Sequence, residues 1–377
     1  MNSTFDNIPF YIKFSIFFLG ICAFGFFLYI GQEIIIPLCF SLLIAILLDP
    51  LVTLFQKIKI PRAIAITLSL IAVILLITGL IYFISVQLTL FNESLPMFKE
   101  KFKMVLDQGK TWVSSEFHIS MDSINSQLDK WGKSIFDETG ALIGYTVMTL
   151  TQLVVVWLLI PVYVYLFLYY QTLFLAFIEQ VSEKKNQSTI KEVMTEGNKM
   201  IQSYLIGLLL EVIIMSILNS VGLLILGIEY AILLGIIGAL LNTIPYIGGV
   251  VSTILPMLIA IVTKDSLVSP LLVLGVYLLI QFIDNNFLVP LVVASRVKIN
   301  ALVSIIVVLI FGALFGISGM FLAIPLTAIV KIIFDRIDSL KPYGLILGVQ
   351  IPTNTKFVNS FIKTRTAKVK EDGNSIK

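Results

Sequence analysis

Two acidic residues lie inside long apolar runs, where an ionisable side chain costs roughly 3 kcal/mol to insert into a membrane and marks a functional candidate. The first is Asp284, in Gln281-Phe-Ile-Asp284-Asn285-Asn286-Phe-Leu-Val-Pro290, between the apolar stretches Leu271–Ile280 and Phe287–Ala294. Asn285 and Asn286 offer amide oxygens, and Gln281 stands one helical turn before the carboxylate. Pro290 has no backbone donor, and in an α-helix it frees the carbonyl of Asn286 four residues earlier. Carboxylate, amide oxygens and a freed carbonyl are hard ligands suited to a small cation. A carboxylate that binds either a proton or a cation can exchange one for the other. The same cluster could instead hold helices together by hydrogen bonds. The second acid is Glu211, in Gly207-Leu-Leu-Leu-Glu211, with Asn219 eight residues on along the same face. It reads as a second proton site or as a buried interhelical hydrogen-bond partner. Glu33, Asp49, Glu229 and Asp265 lie at the ends of apolar segments and read as interfacial caps.

Two further places offer polar backbone inside apolar sequence. One is Asn242-Thr243-Ile-Pro245-Tyr246-Ile-Gly248-Gly249, followed by Pro256. The other is Gly312-Ala-Leu-Phe-Gly316-Ile-Ser318-Gly319, followed by Pro325. A broken helix exposes N–H groups with a positive dipole end, and unwound carbonyls offer the opposite charge. Asn242, Thr243, Tyr246, Ser318 and the bare backbones of Gly248, Gly249, Gly316 and Gly319 could line a solute cavity. The alternative is a pair of kinks packed against neighbouring helices.

Other chemistries have no residues to carry them. The only histidine is His118, so a two-histidine zinc site or a membrane serine–histidine protease is excluded. The two cysteines, Cys22 and Cys39, both lie in apolar runs and give neither a disulfide framework nor a thiolate metal site. No phosphate-binding glycine loop or paired membrane aspartates are present. No metal or cofactor is expected, and the chain is not expected to be an enzyme.

The elements that position these residues follow from composition. Of 377 residues, 58% are hydrophobic and 13% charged. A soluble domain carries about 25% charged residues. The apolar excess must face lipid, which excludes a soluble enzyme, a disordered chain and a nucleic-acid binder. Eight apolar segments are expected, near 10–30, 34–55, 62–90, 144–175, 201–227, 231–263, 268–294 and 299–334. The fold class is therefore an all-α polytopic membrane protein. Residues 1–90 carry the first three segments, and the run Phe14–Ile30 reads as a retained span rather than a cleaved signal. Residues 91–143 are rich in Lys, Asp and Glu and read as a small extracytoplasmic helical domain. The fourth segment occupies 144–178, an amphipathic cytoplasmic stretch 179–200, and the transport core 201–335. A basic tail follows at 336–377. The aromatic run Tyr163, Tyr165, Phe167, Tyr169 and Tyr170 resembles an interfacial belt.

Lys57, Lys59 and Arg62, then Lys184 to Lys199, then Arg336 and the tail fall on one side of the membrane if the spans alternate. The positive-inside bias makes that side the cytoplasm, with both termini there. Segments 231–263 and 299–334 are too long for one crossing, about 50 Å of helix against about 30 Å of hydrocarbon. Each fits a re-entrant hairpin of two short arms, and the other reading is two long, kinked helices. Paired interrupted segments are a sequence pointer to a secondary-transporter site.

The same residues carry a family resemblance. Ile160-Pro161-Val-Tyr-Val-Tyr-Leu-Phe, Gly227-Ile-Glu-Tyr-Ala-Ile-Leu-Leu-Gly235, Leu241-Asn242-Thr-Ile-Pro245-Tyr246-Ile-Gly248, Gln281-Phe-Ile-Asp284-Asn285 with Pro290, and Phe311-Gly312-Ala-Leu-Phe-Gly316-Ile-Ser-Gly319 with Ile324-Pro325-Leu are together specific. On them the chain resembles the autoinducer-2 exporter family of permeases over roughly 10–345. The resemblance implies a bacterial plasma-membrane permease without an ATPase subunit. It implies a homo-oligomer, with a pentamer as one arrangement, that works by elevator-like movement. Members are linked to export of autoinducer-2 or to exchange of sodium or lithium for protons. Relatives often carry Leu-His-Pro before the last segment; here the position reads Ile299-Asn300-Ala301, so no histidine there can carry a proton.

The expected function is a secondary transporter for a small solute or monovalent cation, coupled to a proton or ion. Gln281, Asp284, Asn285, Asn286 and Glu211 would couple it, and Asn242 to Gly249, Pro290, and Gly312 to Pro325 would frame the cavity. A passive channel, or a membrane scaffold using 91–143 as a partner surface, are the alternatives.

Overall fold

A computed structural model describes residues 9–117, 154–181, 187–244, 248–264, 266, 268–294, 299–337 and 339–349. Among them are eleven α-helices: α1 Phe10–Ile30, α2 Gln32–Lys57, α3 Arg62–Phe117, α4 Val154–Tyr169, α5 Gln171–Val181, α6 Gln187–Ile225, α7 Ala231–Asn242, α8 Gly248–Thr263, α9 Val268–Ile283, α10 Ala301–Arg336 and α11 Lys341–Leu347. Asp284–Ala294 continues α9 in wide π-helical turns. The described residues form no β-strand; a single antiparallel bridge joins Ile299 and Gly348.

This is a multi-pass helical membrane protein. By length and composition five described helices could cross a bilayer, α10 counted among them as one length, and a sixth is added if α4 and α5 count as one. Three of the eight expected segments fall outside those five: the first, whose apolar helix Phe14–Ile30 is among the shorter ones, the fourth, and 231–263. The fourth segment bends by 59° between α4 and α5. The guanidinium of Arg62 braces that bend, donating to the Leu168 carbonyl at 2.6 Å and to Gln171 Oε1 at 2.8 Å. Asp49, expected as an end cap, lies beside Arg62 and Gln171. Helices α7 and α8 have 12 and 16 residues. At 1.5 Å per residue they rise only about 18 and 24 Å, too short to span alone.

The two polar stretches are continuous with membrane helices over their described parts. Helix α3 runs unbroken from Arg62 to Phe117 and so carries the start of the 91–143 region on the third segment. Its 56 residues extend about 84 Å, far beyond a hydrocarbon core. The rest of that region, with His118, lies outside the described residues. Helix α6 likewise joins residues 187–200 to the fifth segment.

Segment 231–263 is a hairpin. Ala231 and Leu234 at the start of α7 cluster with Ile259 and Ala260 at the end of α8, so the arms run antiparallel. Gly248 begins the return arm against the Leu241 carbonyl, where a Cβ would come within 1.9 Å. Segment 299–334 also turns back on itself, at a kink within α10. Gly316 has φ 64° and ψ −146°. A Cβ on Gly319 would lie 2.0 Å from the Phe311 carbonyl oxygen, and one on Gly312 would lie 2.7 Å from the Met320 methyl. Residues eight apart in a straight helix stand about 12 Å apart. The start and end of α10 meet through α11: Asn300 bonds the carbonyls of Ile346 and Gly348, and Gly344 packs on Asp335.

The hairpins open at opposite ends of α6. The first has its base beside Leu223, near the helix's end. The second has its base near the helix's start, where Arg336 pairs with Glu192 and Glu196 and Ile332 packs on Gly197. Small residues allow this close packing. Gly235 of α7 seats directly on the backbone of Ser220 in α6, and Gly222 of α6 seats on Val276 of α9.

Four apolar clusters lie among the described residues, the smallest of them Met215, Ala239 and Ile280 where α6, α7 and α9 meet. Ala45, Leu48, Ile66 and Val164 join α2, α3 and α4. Leu223, Leu234, Ala260 and Val273 join α6 to α9. Leu43, Ile201, Tyr204, Leu205 and Leu322 lie between these two groups.

Candidate functional site

The carboxylate of Asp284 sits where α9 gives way to π turns, and only 2% of the residue is exposed. Widened turns of this kind recur at functional sites because they re-aim side chains and carbonyls. Here they shift the effect of Pro290. In i→i+5 turns the carbonyl it leaves unbonded is that of Asn285, not Asn286 as an α-helical register predicts.

Asp284 accepts two hydrogen bonds on Oδ2, from Asn242 Nδ2 at 3.1 Å and Gln281 Nε2 at 3.3 Å. Asn242 belongs to the break of the first hairpin, so the hairpin tip and the ninth helix meet at the carboxylate. The Oδ1 atom is buried and has no hydrogen-bond partner. An unpaired buried acceptor costs about 1–3 kcal/mol, and a charged one more. Toward Asp284, both Gln281 and Asn242 present amide donors. Their oxygens face the start of α8: a Cβ on Gly249 would stand 2.9 Å from Gln281 Oε1 and 3.5 Å from Asn242 Oδ1.

A cavity of about 890 Å³ opens beside Asp284. Glu211, Asn242, Thr243, Gly249, Gln281 and Asn285 of the expected set line it. Glu211 reaches it from α6 and is 8% exposed. Asn285 accepts from Gln281 Nε2 at 3.4 Å. Asn286 is not brought into this group: it is exposed and donates to the Phe282 carbonyl one turn back, at 2.8 Å. Asn219 does not join Glu211 in the cavity wall; it lies beside Gly238 with Ser252 and Tyr277. Pro245 and Tyr246 fall outside the described residues.

The second broken segment contributes differently from expectation. Gly312, Gly316, Ser318 and Gly319 form the turn of α10, Pro325 is buried within its return arm, and none of them lines the cavity. Ile299, Ser304 and Ile324 do. Asn300 caps α10 by accepting from the Val303 N–H at 2.9 Å.

Tyr204, Thr253, Met257 and Tyr277 are wall residues that sequence reasoning missed. A signal existed for two of them. Tyr277, Gln281 and Asp284 recur at i, i+4 and i+7, and Tyr204 and Glu211 are seven apart, so each set shares a helix face.

A multi-pass helical bundle with buried carboxylates at a cavity, bounded by a broken segment, has the build of a membrane permease. The chain belongs to the AI-2E family of transporters, whose model matches residues 15–339. It is similar to a Bacillus subtilis protein, YueF, named as a candidate transport protein, with 26% identity over 314 residues, 80% of this chain and 83% of that one. It is also similar to the AI-2 transport protein TqsA of Escherichia coli, with 25% identity over 339 residues, 88% of this chain and 93% of the relative.

Proposed function

We propose that the protein is a proton- or ion-coupled secondary transporter of the bacterial plasma membrane, moving a small solute or cation with Asp284 as its coupling carboxylate. The observation that carries this reading is the unpaired, buried Oδ1 of Asp284 beside the cavity, held between a hairpin tip and a π-helical break. Such an atom exchanges occupants: a proton, a cation or a solute donor each satisfies it. Glu211 from α6 is the second acid of the site, and Gln281, Asn285 and the hairpin residues Asn242, Thr243 and Gly249 orient and frame it.

Alternating access would come from elevator-like sliding of the α6–α9 group against the α2–α4 group across the cluster that contains Leu43 and Leu205. The subunits would assemble as a homo-oligomer, with both termini in the cytoplasm. Exchange of sodium or lithium for protons and export of a small signal such as autoinducer-2, the latter suggested by the name of the Escherichia coli relative, are two forms that such coupled transport takes.

The test is a proteoliposome assay with an imposed pH gradient and an internal pH dye. Sodium, lithium, potassium or autoinducer-2 is added to wild type and to Asp284→Asn. Saturable collapse of the gradient in wild type, lost in a variant that still inserts and assembles, is expected. Coupled flux retained in Asp284→Asn overturns the assignment.

A further inference from the structure

The cavity walls carry information about what fits inside. The volume of about 890 Å³ lies in the range that holds drug-sized organic ligands, about 300–1,000 Å³. A bare inorganic cation needs oxygens within about 2–3 Å on most sides. Here most of the wall surface is apolar, with residues such as Leu208, Ile254, Met257 and Leu278 contributing to it. Among the described residues, the charged groups of the wall are all of one sign. Asp284 and Glu211 line the cavity, and no lysine, arginine or histidine does so among the described residues. An anionic solute would meet two carboxylates in a low-dielectric setting.

One buried atom of a wall residue also lacks a partner, Oδ1 of Asp284. A carboxylate oxygen accepts only, so whatever pairs with it must be a donor. The rings of Tyr204 and Tyr277 add faces on which a cation is attracted.

We infer that the transported solute is an organic ammonium ion with at least one N–H donor. Its charged head meets the carboxylates of Asp284 and Glu211, and its apolar body lies against the aliphatic and tyrosine wall. This rests on the transporter reading above and narrows its substrate class. The coupling proton and the ammonium head then compete for the same carboxylates, so that loading one releases the other.

The experiment is equilibrium binding to the full-length protein in lipid nanodiscs with three probes of one shape: 2-phenylethylammonium, 2-phenylethanol and phenylacetate. Saturable binding of the ammonium alone is expected, weakened by about tenfold or more in Asp284→Asn and in Glu211→Gln, the scale of losing a desolvated charge partner. Monodispersity and melting temperature of each variant establish that it is folded. Equal or tighter binding of phenylacetate overturns the inference. So does ammonium binding that survives in the folded double variant, or no ammonium binding up to millimolar concentration. If wild type fails to bind the ammonium yet still collapses a pH gradient on adding sodium, the substrate class falls and the coupled transporter stands. If the gradient assay also fails, both fall.

Discussion

Asp284 shows how one residue carries a site. Its burial would be prohibitive without compensation, and the two amides of Asn242 and Gln281 supply part of it through one oxygen only. Removing the charge while keeping the shape, as in Asp284→Asn, should therefore preserve the fold and abolish coupled flux. Gly316 is the other residue whose type is dictated. Its φ of 64° with ψ of −146° lies in a region open essentially to glycine alone. A Cβ there meets no neighbouring atom, so any penalty is purely conformational. Gly316→Ala should destabilise the protein by about 1–3 kcal/mol, read as a lower melting temperature in detergent, without altering the affinity for solute. An unchanged melting temperature would show that the α10 turn accommodates a left-handed alanine.

At the scale of elements, the hairpin of α7 and α8 is held to α6 by glycine contacts as well as by the apolar cluster around Leu223. A Cβ on Gly235 would come within 2.2 Å of Ser220 Oγ and 2.6 Å of its backbone nitrogen, so the helices would have to part. Gly235→Ala should cost about 1–3 kcal/mol of stability as an overpacked core position does. Because α7 ends in Asn242, it should also displace the amide from Asp284, and solute affinity should fall with stability. The double variant Gly235→Ala with Ser220→Ala, which removes the nearest side-chain atom, should recover only part of the loss, since the backbone contact remains. Melting curves and binding isotherms of the single and double variants check both statements.

At the scale of the whole molecule, two predictions test orientation and movement. Both use a background with Cys22 and Cys39 replaced by serine. The hairpins open at opposite ends of α6, so Lys264→Cys and Lys341→Cys should react with an impermeant maleimide from opposite faces of the membrane. The positive-inside bias assigns Lys341 to the cytoplasm. Labelling of both from one face would sink the paired-hairpin topology. Movement of the α6–α9 group past the α2–α4 group should break the contact between Gln202 Nε2 and the Ile46 carbonyl, 3.2 Å apart. Tethering Ile46→Cys to Gln202→Cys with a short bifunctional maleimide should stop transport while leaving solute binding intact. Transport that continues through the tether would exclude sliding at this contact.

Composition and patterning settled the class of this protein, because an apolar excess with halved charge has only lipid to face. The costly carboxylates Asp284 and Glu211, the paired breaks and the family motifs were legible for the same reason: each is a departure from what an apolar segment needs. Local sequence also marked Asn242 and Gln281 as polar residues in apolar surroundings. It could not show that both aim donors at one oxygen of Asp284, because that depends on where a hairpin tip lands on a helix 42 residues away in the chain. It could not place Asn286 outside the cluster, because that depends on how the chain turns after Asp284, where α turns give way to π turns. Nor could it count the crossings, because a bend at Tyr170, a reversal at Gly316 and a helix running on through polar sequence are decided by what each segment packs against.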